Sequence, residues 1–233
     1  MTEASGPKWE TDAIENLRTH VRKFAKPLRE LVDRDANEGD TRLLVTDMLC
    51  DALGYDKYED LTTEYAVRGE FADYGIRIDK QLVAFVEVKR AAQNLGAKHL
   101  RQVETYAVKE GVEWMILTNG RVWAVYHLTS PAGAPIETTL LLEVDLLDDA
   151  TVNAKSAQLF YLHKSAMKHD KITELWHQRA ATAPQALVDV LLSESVLDEL
   201  RKEVRRRSGY NPELAGLAAT LKESVIRAEL TPR

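Results

Sequence analysis

One cysteine, Cys50, is all that a chain of 233 residues contains. No intrachain disulfide and no cysteine-rich zinc site can form, so packing must hold the fold and a reducing compartment is expected. Long apolar runs are also missing. No stretch approaches the roughly 20 residues that cross a bilayer, and Met1-Thr-Glu-Ala-Ser-Gly-Pro lacks the apolar core of a signal peptide. These absences point to a soluble cytoplasmic protein with no membrane partner. The histidines at 20, 99, 127, 163, 169 and 177 fall in neither H-E-x-x-H nor any other ligand spacing, which argues against zinc chemistry. His163 and His169 are expected on the surface. There is no G-x-x-x-x-G-K-[ST] phosphate loop, so the sequence holds no ATP-driven motor of that kind. An excess of basic charge is lacking as well: 31 basic against 37 acidic side chains leave a net charge of −6, which disfavours indiscriminate polyanion binding.

Local charge departs from that mean. Arg77, Lys80, Lys89, Arg90, Lys98 and Arg101 outnumber Asp79 and Glu87 over one stretch, and Arg201, Lys202, Arg205, Arg206 and Arg207 cluster near the end. The second cluster reads as a solvated helix face. Length allows one compact domain with an extension, or two small domains.

Apolar periodicity sets the order of elements. Ile14, Leu17, Val21, Phe24, Leu28 and Leu31 alternate spacings of three and four, a helix stripe that Pro27 should kink. A second helix is expected from about Asp40 to Leu53, stopped by Gly54 in a left-handed cap. If its first turn reaches Glu38, that carboxylate shares the core-facing stripe with Val45 and Leu49. From Leu61 to Lys89 the period becomes two, giving three antiparallel strands with a break at Asp79-Lys80-Gln81. A helix over Leu95 to Glu110 should end at Gly111. Trp114 to Thr118 should then meet Arg121 to Tyr126 across Asn119-Gly120, and Pro131, Gly133 and Pro135 precede a strand over Thr138 to Leu146. Everything after about residue 150 is helical in pattern. The expected fold is α/β, a mixed sheet flanked by helices over residues 1–150, with an all-helical extension over 151–233 for packing or oligomerisation.

A three-residue loop at Asp79-Lys80-Gln81 would set Asp73 directly opposite Glu87. Two carboxylates at a cross-strand distance of about 5 Å repel unless a positive charge lies between them. Lys89 shares the face of Glu87 by the strand period. Such a patch suits metal-assisted phosphodiester hydrolysis: hard oxygens for Mg²⁺ or Mn²⁺, and an ammonium to position water or offset growing charge. The acid-x-Lys tripeptide is weak by itself, since composition alone predicts about two and the sequence has one. Gln102 and Tyr106, at i and i+4, lie on one face of the following helix with Arg101 and His99 nearby. Tyr74, Trp114, Trp123 and Tyr126 read as packing residues, and Cys50 as a small buried hydrophobe.

These residues, in order, resemble a known family. Asn37-Glu-Gly-Asp-Thr-Arg42, Leu53-Gly-Tyr55, Ala72-Asp-Tyr-Gly75, Val86-Glu-Val-Lys89, Gln102-Val-Glu-Thr-Tyr106 and Leu117-Thr-Asn-Gly120 look like the N-terminal nuclease domain of type I restriction enzyme R subunits, a branch of the PD-(D/E)xK nucleases. The resemblance implies a restriction-endonuclease-like fold and a metal-dependent DNA endonuclease, for defence or a mobile element. It implies catalytic roles for Asp73, Glu87, Lys89, Gln102 and Tyr106, and metal binding by Asp73, Glu87 and Glu38. It leaves Arg90, Lys98 and Arg101 as candidates for DNA contact. Ala72 stands where that family often has proline, a backbone-shaping position that does not ligate metal. R subunits continue into a helicase motor that this sequence lacks, so a standalone nuclease is expected, as a homodimer or with a separate motor or specificity protein. The alternative is a catalytically inactive nucleic-acid-binding or assembly protein on the same fold; the intact Asp73, Glu87, Lys89 and Gln102 weigh against it.

Overall fold

The computed structural model describes residues 6–67, 70–129 and 135–230; the loop markers Pro131 and Gly133 lie outside them. The chain divides into two compact units, Met1–Thr173 and Glu174–Arg233.

In the first unit α1 (Lys8–Asp33) buries Leu17, Val21, Phe24, Leu28 and Leu31 of the expected stripe, with Ala13 in place of Ile14, which is half-buried, and runs as one helix through Pro27. Helix α2 (Glu38–Asp47) starts two residues before the expected Asp40 because Asn37 caps it, its Oδ1 accepting from the Asp40 N–H at 2.8 Å. It continues as a π-helical turn, Met48–Ala52, and stops at Gly54, whose φ of +75° is the left-handed cap expected there. Cys50 sits in the π turn half-buried, not fully buried as its apolar neighbours suggested, because the altered winding turns it partly outward.

Six strands follow in spatial order β1 to β6: Leu61–Val67, Glu70–Ile78, Gln81–Val88, Trp114–Thr118, Val122–Thr129 and Glu137–Asp145. Neighbours pair antiparallel except β3 and β4, which are parallel and joined by the crossover helix α3 (Ala97–Glu110). The sheet is therefore mixed and flanked by helices, an α/β fold. Phe85 and Met115 pack one face against Val103, Tyr106 and Ala107 of α3. Toward α2 on the other side, the Tyr74 hydroxyl meets Thr46 Oγ1 at 2.8 Å.

Two turns differ from expectation. The β2–β3 hairpin closes through Asp79 and Lys80 alone, both left-handed at φ 48° and 73°, so Ile78 pairs with Gln81. A bulge then adds one residue to β3, and from Ile76 opposite Ala84 onward the register is the one a three-residue loop would have set. The β4–β5 hairpin is also wider than a two-residue turn, because Thr118 pairs with Trp123. Asn119 fills the added length: its Oδ1 accepts from the Val122 N–H at 2.7 Å and its Nδ2 donates to the Gln93 carbonyl at 2.8 Å.

Beyond the sheet, α4 (Val152–Leu159) packs on α1 and β6, and α5 (Lys164–Lys168) follows within the same unit. His163 is buried rather than on the surface. Its Nδ1 caps α5 by accepting from the Ser165 N–H at 3.1 Å, and its ring closes over Gly54. His169 stacks on Trp9 with ring centroids 4.1 Å apart. α6 (Lys171–Ala181) leads into the second unit, which holds α7 (Pro184–Leu191), α8 (Glu194–Ser208) and α9 (Leu214–Thr220). The basic cluster lies on α8, where Asp198, Glu199 and Glu203 pair with Arg201, Lys202, Arg206 and Arg207 at helical spacing, as a solvated face should. Among the described residues no helix is long and apolar enough to cross a membrane.

Candidate active site

The β2–β3 register brings two carboxylates together near the end of β3. Asp73 Oδ2 accepts from the Val88 N–H at 2.7 Å, which fixes the carboxylate across the strand pair. Glu87 is 3% exposed, Asp73 is close enough to perturb its charge, and Lys89 Nζ donates to Glu87 Oε1 at 2.6 Å. Asp73, Glu87 and Lys89 thus converge as the strand period requires. The convergence survives a different turn only because of the bulge.

The electrostatics follow from burial. Burial, then the neighbouring charge of Asp73, raises the Glu87 carboxyl to about 7. Burial also raises Asp73, against the Val88 N–H and the Arg42 charge that favour its ionised form. For Lys89 burial acts downward, yet its hydrogen bond to Glu87 and the charges of Glu87, Glu38 and Asp73 outweigh it, and the net shift is upward. The lysine is therefore an ammonium at neutral pH. It can offset negative charge or orient water, but it cannot accept a proton.

Glu38 heads α2 and is half-exposed, its Oε2 4.0 Å from Lys89 Nζ. It belongs to the rim of the patch and not to the buried stripe of Val45 and Leu49, because a residue in the first helical turn still lies at the edge of the core. On the facing wall, α3 presents Lys98, Arg101 and Gln102, and with Glu38, Lys89, Gln93 and His99 they line an open cleft of about 470 Å³. Gln102 Nε2 donates to the Tyr106 hydroxyl at 3.0 Å, the i, i+4 contact expected of that pair. Tyr106 itself is buried against Phe85 and does not line the cleft, so it steadies Gln102 from below. Arg90 is turned away as well, paired with Asp35 at 3.3 Å. His99 Nδ1 accepts from the Gly96 N–H and its Nε2 faces the Gln93 amide at 2.9 Å; burial and the charges of Lys89 and Lys98 shift its pKa downward.

Sequence reasoning missed three contributors. Arg42, one helical turn after Glu38, places its Nε 3.4 Å from Asp73 Oδ1. The i, i+4 spacing from Glu38 was the available signal. Thr41 is fully buried and accepts from the Ala91 N–H at 3.1 Å, tying α2 to the loop after Lys89. Glu64 pairs with Arg42 at 3.5 Å from the neighbouring strand.

Whether these side chains suit a metal depends on their donors. Among the described residues no three His, Cys, Asp or Glu side chains form a ready metal cage. The Asp73–Glu87 pair nevertheless fits a hard divalent cation, because Glu87 Oε2 is buried without a hydrogen-bond partner. A carboxylate oxygen in that state is costly unless a proton or a cation satisfies it.

Residues 37–137 match a family model described as Type I restriction enzyme R protein N terminus. This stretch of the chain is similar to that family. The matched segment runs from the cap of α2 to the first residue of β6, a little under half of the chain, and contains all nine site residues expected from the sequence. No curated protein and no solved structure matches the chain. The structure also accounts for much of the motif set in physical terms. Asn37 caps α2, Thr41 anchors a loop, Gly120 takes a φ of +78° where a Cβ would meet Leu28 at 3.1 Å, and Gly75 lies where a Cβ would fall 2.8 Å from the Tyr65 ring.

Proposed function

We propose that the protein is a Mg²⁺- or Mn²⁺-dependent DNA endonuclease hydrolysing phosphodiester bonds. The observation that carries this reading is the buried, unpartnered Glu87 Oε2 beside Asp73, with the Lys89 ammonium on Glu87 Oε1. Asp73 and Glu87 would hold the metal, and Glu38 would reach it from the rim. A bound Mg²⁺ or Mn²⁺ supplies Lewis acidity toward a phosphoryl oxygen and lowers the pKa of water. Lys89 keeps its proton and offsets charge that grows on the phosphate. Gln102, steadied by Tyr106, orients water or a phosphate oxygen. Lys98 and Arg101 meet the DNA backbone along the cleft wall; Arg90 would have to leave Asp35 to join them. A single site cuts one strand, so double-strand cleavage calls for a second copy, and a separate motor or specificity protein is a further candidate partner.

The test is nicking of supercoiled plasmid at low salt with Mg²⁺, Mn²⁺ or EDTA, since phosphate contacts weaken steeply with ionic strength. Metal-dependent nicking that disappears in folded Asp73→Ala and Lys89→Ala variants supports the proposal. A wild type as inert as both variants on single- and double-stranded DNA and RNA sinks it. A second reading, a nucleic-acid-binding or assembly protein without activity, then takes its place. The observation in its favour is the lack of a three-ligand cage among the described residues.

A further inference from the structure

Arg42 lies between two carboxylates and holds both at long range. Its Nε is 3.4 Å from Asp73 Oδ1 and its Nη2 is 3.5 Å from Glu64 Oε1, beyond the usual 2.7–2.9 Å of a charge-assisted pair. Lys89, by contrast, holds Glu87 at 2.6 Å. The other Asp73 oxygen already accepts from the Val88 N–H, so Oδ1 is the freer oxygen, and it is the one the guanidinium faces. Asp73 has only 11% of its side chain exposed, and a buried carboxylate without a counter-charge is strongly disfavoured.

Glu64 is placed for the exchange. Thr63 pairs with Tyr74 and Tyr65 with Ala72, so the register sets Glu64 across from Asp73. Its φ of +49° is a left-handed conformation, uncommon for a non-glycine residue and rarer inside a strand. The side chain is 69% exposed and has the Arg42 guanidinium as its ion-pair partner.

The geometry points to Arg42 as a displaceable counter-ion: it neutralises Asp73 until a divalent cation binds there, then gives up that carboxylate and stays on Glu64. Arg42 is a positioning residue in this role, acting through Asp73. The inference rests on the proposal that Asp73 and Glu87 hold a metal. It adds that this chain carries a rival cation for the same oxygen, and that cation affinity is set by how tightly Glu64 draws the rival off.

Calorimetric titration with Mn²⁺ separates the possibilities, using the full chain with Arg42→Met, Arg42→Lys and Glu64→Gln. Arg42→Met should bind Mn²⁺ about tenfold more tightly, because a competing positive charge a few ångströms away is gone. Arg42→Lys, which keeps the charge without the bridging fork, should fall between it and the wild type. Glu64→Gln, at an exposed position that leaves the fold intact, should bind several-fold more weakly. A second readout is the melting temperature: Mn²⁺ should raise it more in Arg42→Met than in the wild type, since the variant begins with Asp73 uncompensated. If the wild type binds Mn²⁺ and Arg42→Met binds it equally or less tightly, the counter-ion role is wrong and the nuclease proposal is untouched. Should Arg42→Met not fold, unchanged affinity in Glu64→Gln overturns the inference. A wild type that neither binds Mn²⁺ nor nicks plasmid overturns both.

Discussion

Glu87 is the residue whose protonation should be most visible from outside. Its carboxyl is raised from the ordinary 4.5 to about 7 by burial and by Asp73. A group that holds its proton more tightly when folded contributes stability that is complete below its unfolded value and is lost as pH rises through its folded value. The window is therefore about pH 4.5 to 7. Lys89 stays charged throughout it, so loss of its partner in Glu87→Gln is a constant offset. In urea melts with EDTA, the stability of Glu87→Gln relative to wild type should rise between pH 5 and pH 8; a flat difference would mean Glu87 is not held protonated. Mn²⁺ should compete with the same proton, so binding near pH 7 should release protons and strengthen with pH. Tyr106 tests a different residue-level claim. Tyr106→Phe removes the hydroxyl that accepts from Gln102 and should cost about 1 kcal/mol of stability. It should also lower nicking while leaving Mn²⁺ affinity unchanged, because the cation ligands are elsewhere. Loss of Mn²⁺ binding in that variant would place Tyr106 closer to the metal than its burial suggests.

At the scale of elements, periodicity was a good guide and turns were not. The stripe of α1, the strands β2 and β3 and the glycine stops of α2 and α3 depend on local sequence, and the structure follows them, although β3 is buried on both faces from Ala84 to Val88 and does not alternate. The β2–β3 turn depends instead on which residues tolerate positive φ. Asp79 and Lys80 accept it, and the bulge in β3 that restores the site register leaves no mark in a pattern of period two. The convergence of Asp73 with Glu87 was thus readable, but by a route the sequence does not display. Arg42 and Glu64 were not readable as a pair, since their meeting needs the β1–β2 register and a left-handed residue inside a strand. The same turn supplies a prediction. Lys80 takes a φ of 73° with a side chain, which costs about 1 kcal/mol that glycine avoids. Lys80→Gly should raise the melting temperature by a few degrees without altering nicking, as Lys80 lies at the far end of β3 from Lys89. A lower melting temperature would show that the Lys80 side chain makes a stabilising contact.

For the molecule as a whole, the decisive fact is where the site residues fall. Glu38, Arg42, Glu64, Asp73, Glu87, Lys89, Gln102 and Tyr106 are all in the first compact unit, Met1–Thr173, together with the sheet and the helices α1 to α5 that cover it. The core of that unit includes Leu159, Phe160, Leu162 and Ala166, so the helices after the sheet are part of its interior and cannot be cut away at residue 150 without exposing it. Removing three large side chains and Ala166 uncovers the apolar surface they pack against, and at about 1.5–3 kcal/mol for each large side chain's worth of burial lost, the total rivals the stability of an average domain. Truncation after Ala150 should therefore give an aggregating product with no cooperative melt. A fragment ending at Thr182 keeps α6 whole and should fold cooperatively. If the second unit serves only assembly, that fragment should bind Mn²⁺ like the full chain and nick plasmid at a comparable rate, while failing to convert nicked plasmid to linear form as the full chain would. A fragment that folds and binds Mn²⁺ but does not nick would instead place part of the DNA-binding function in the second unit, since every residue assigned to the chemistry is present in it.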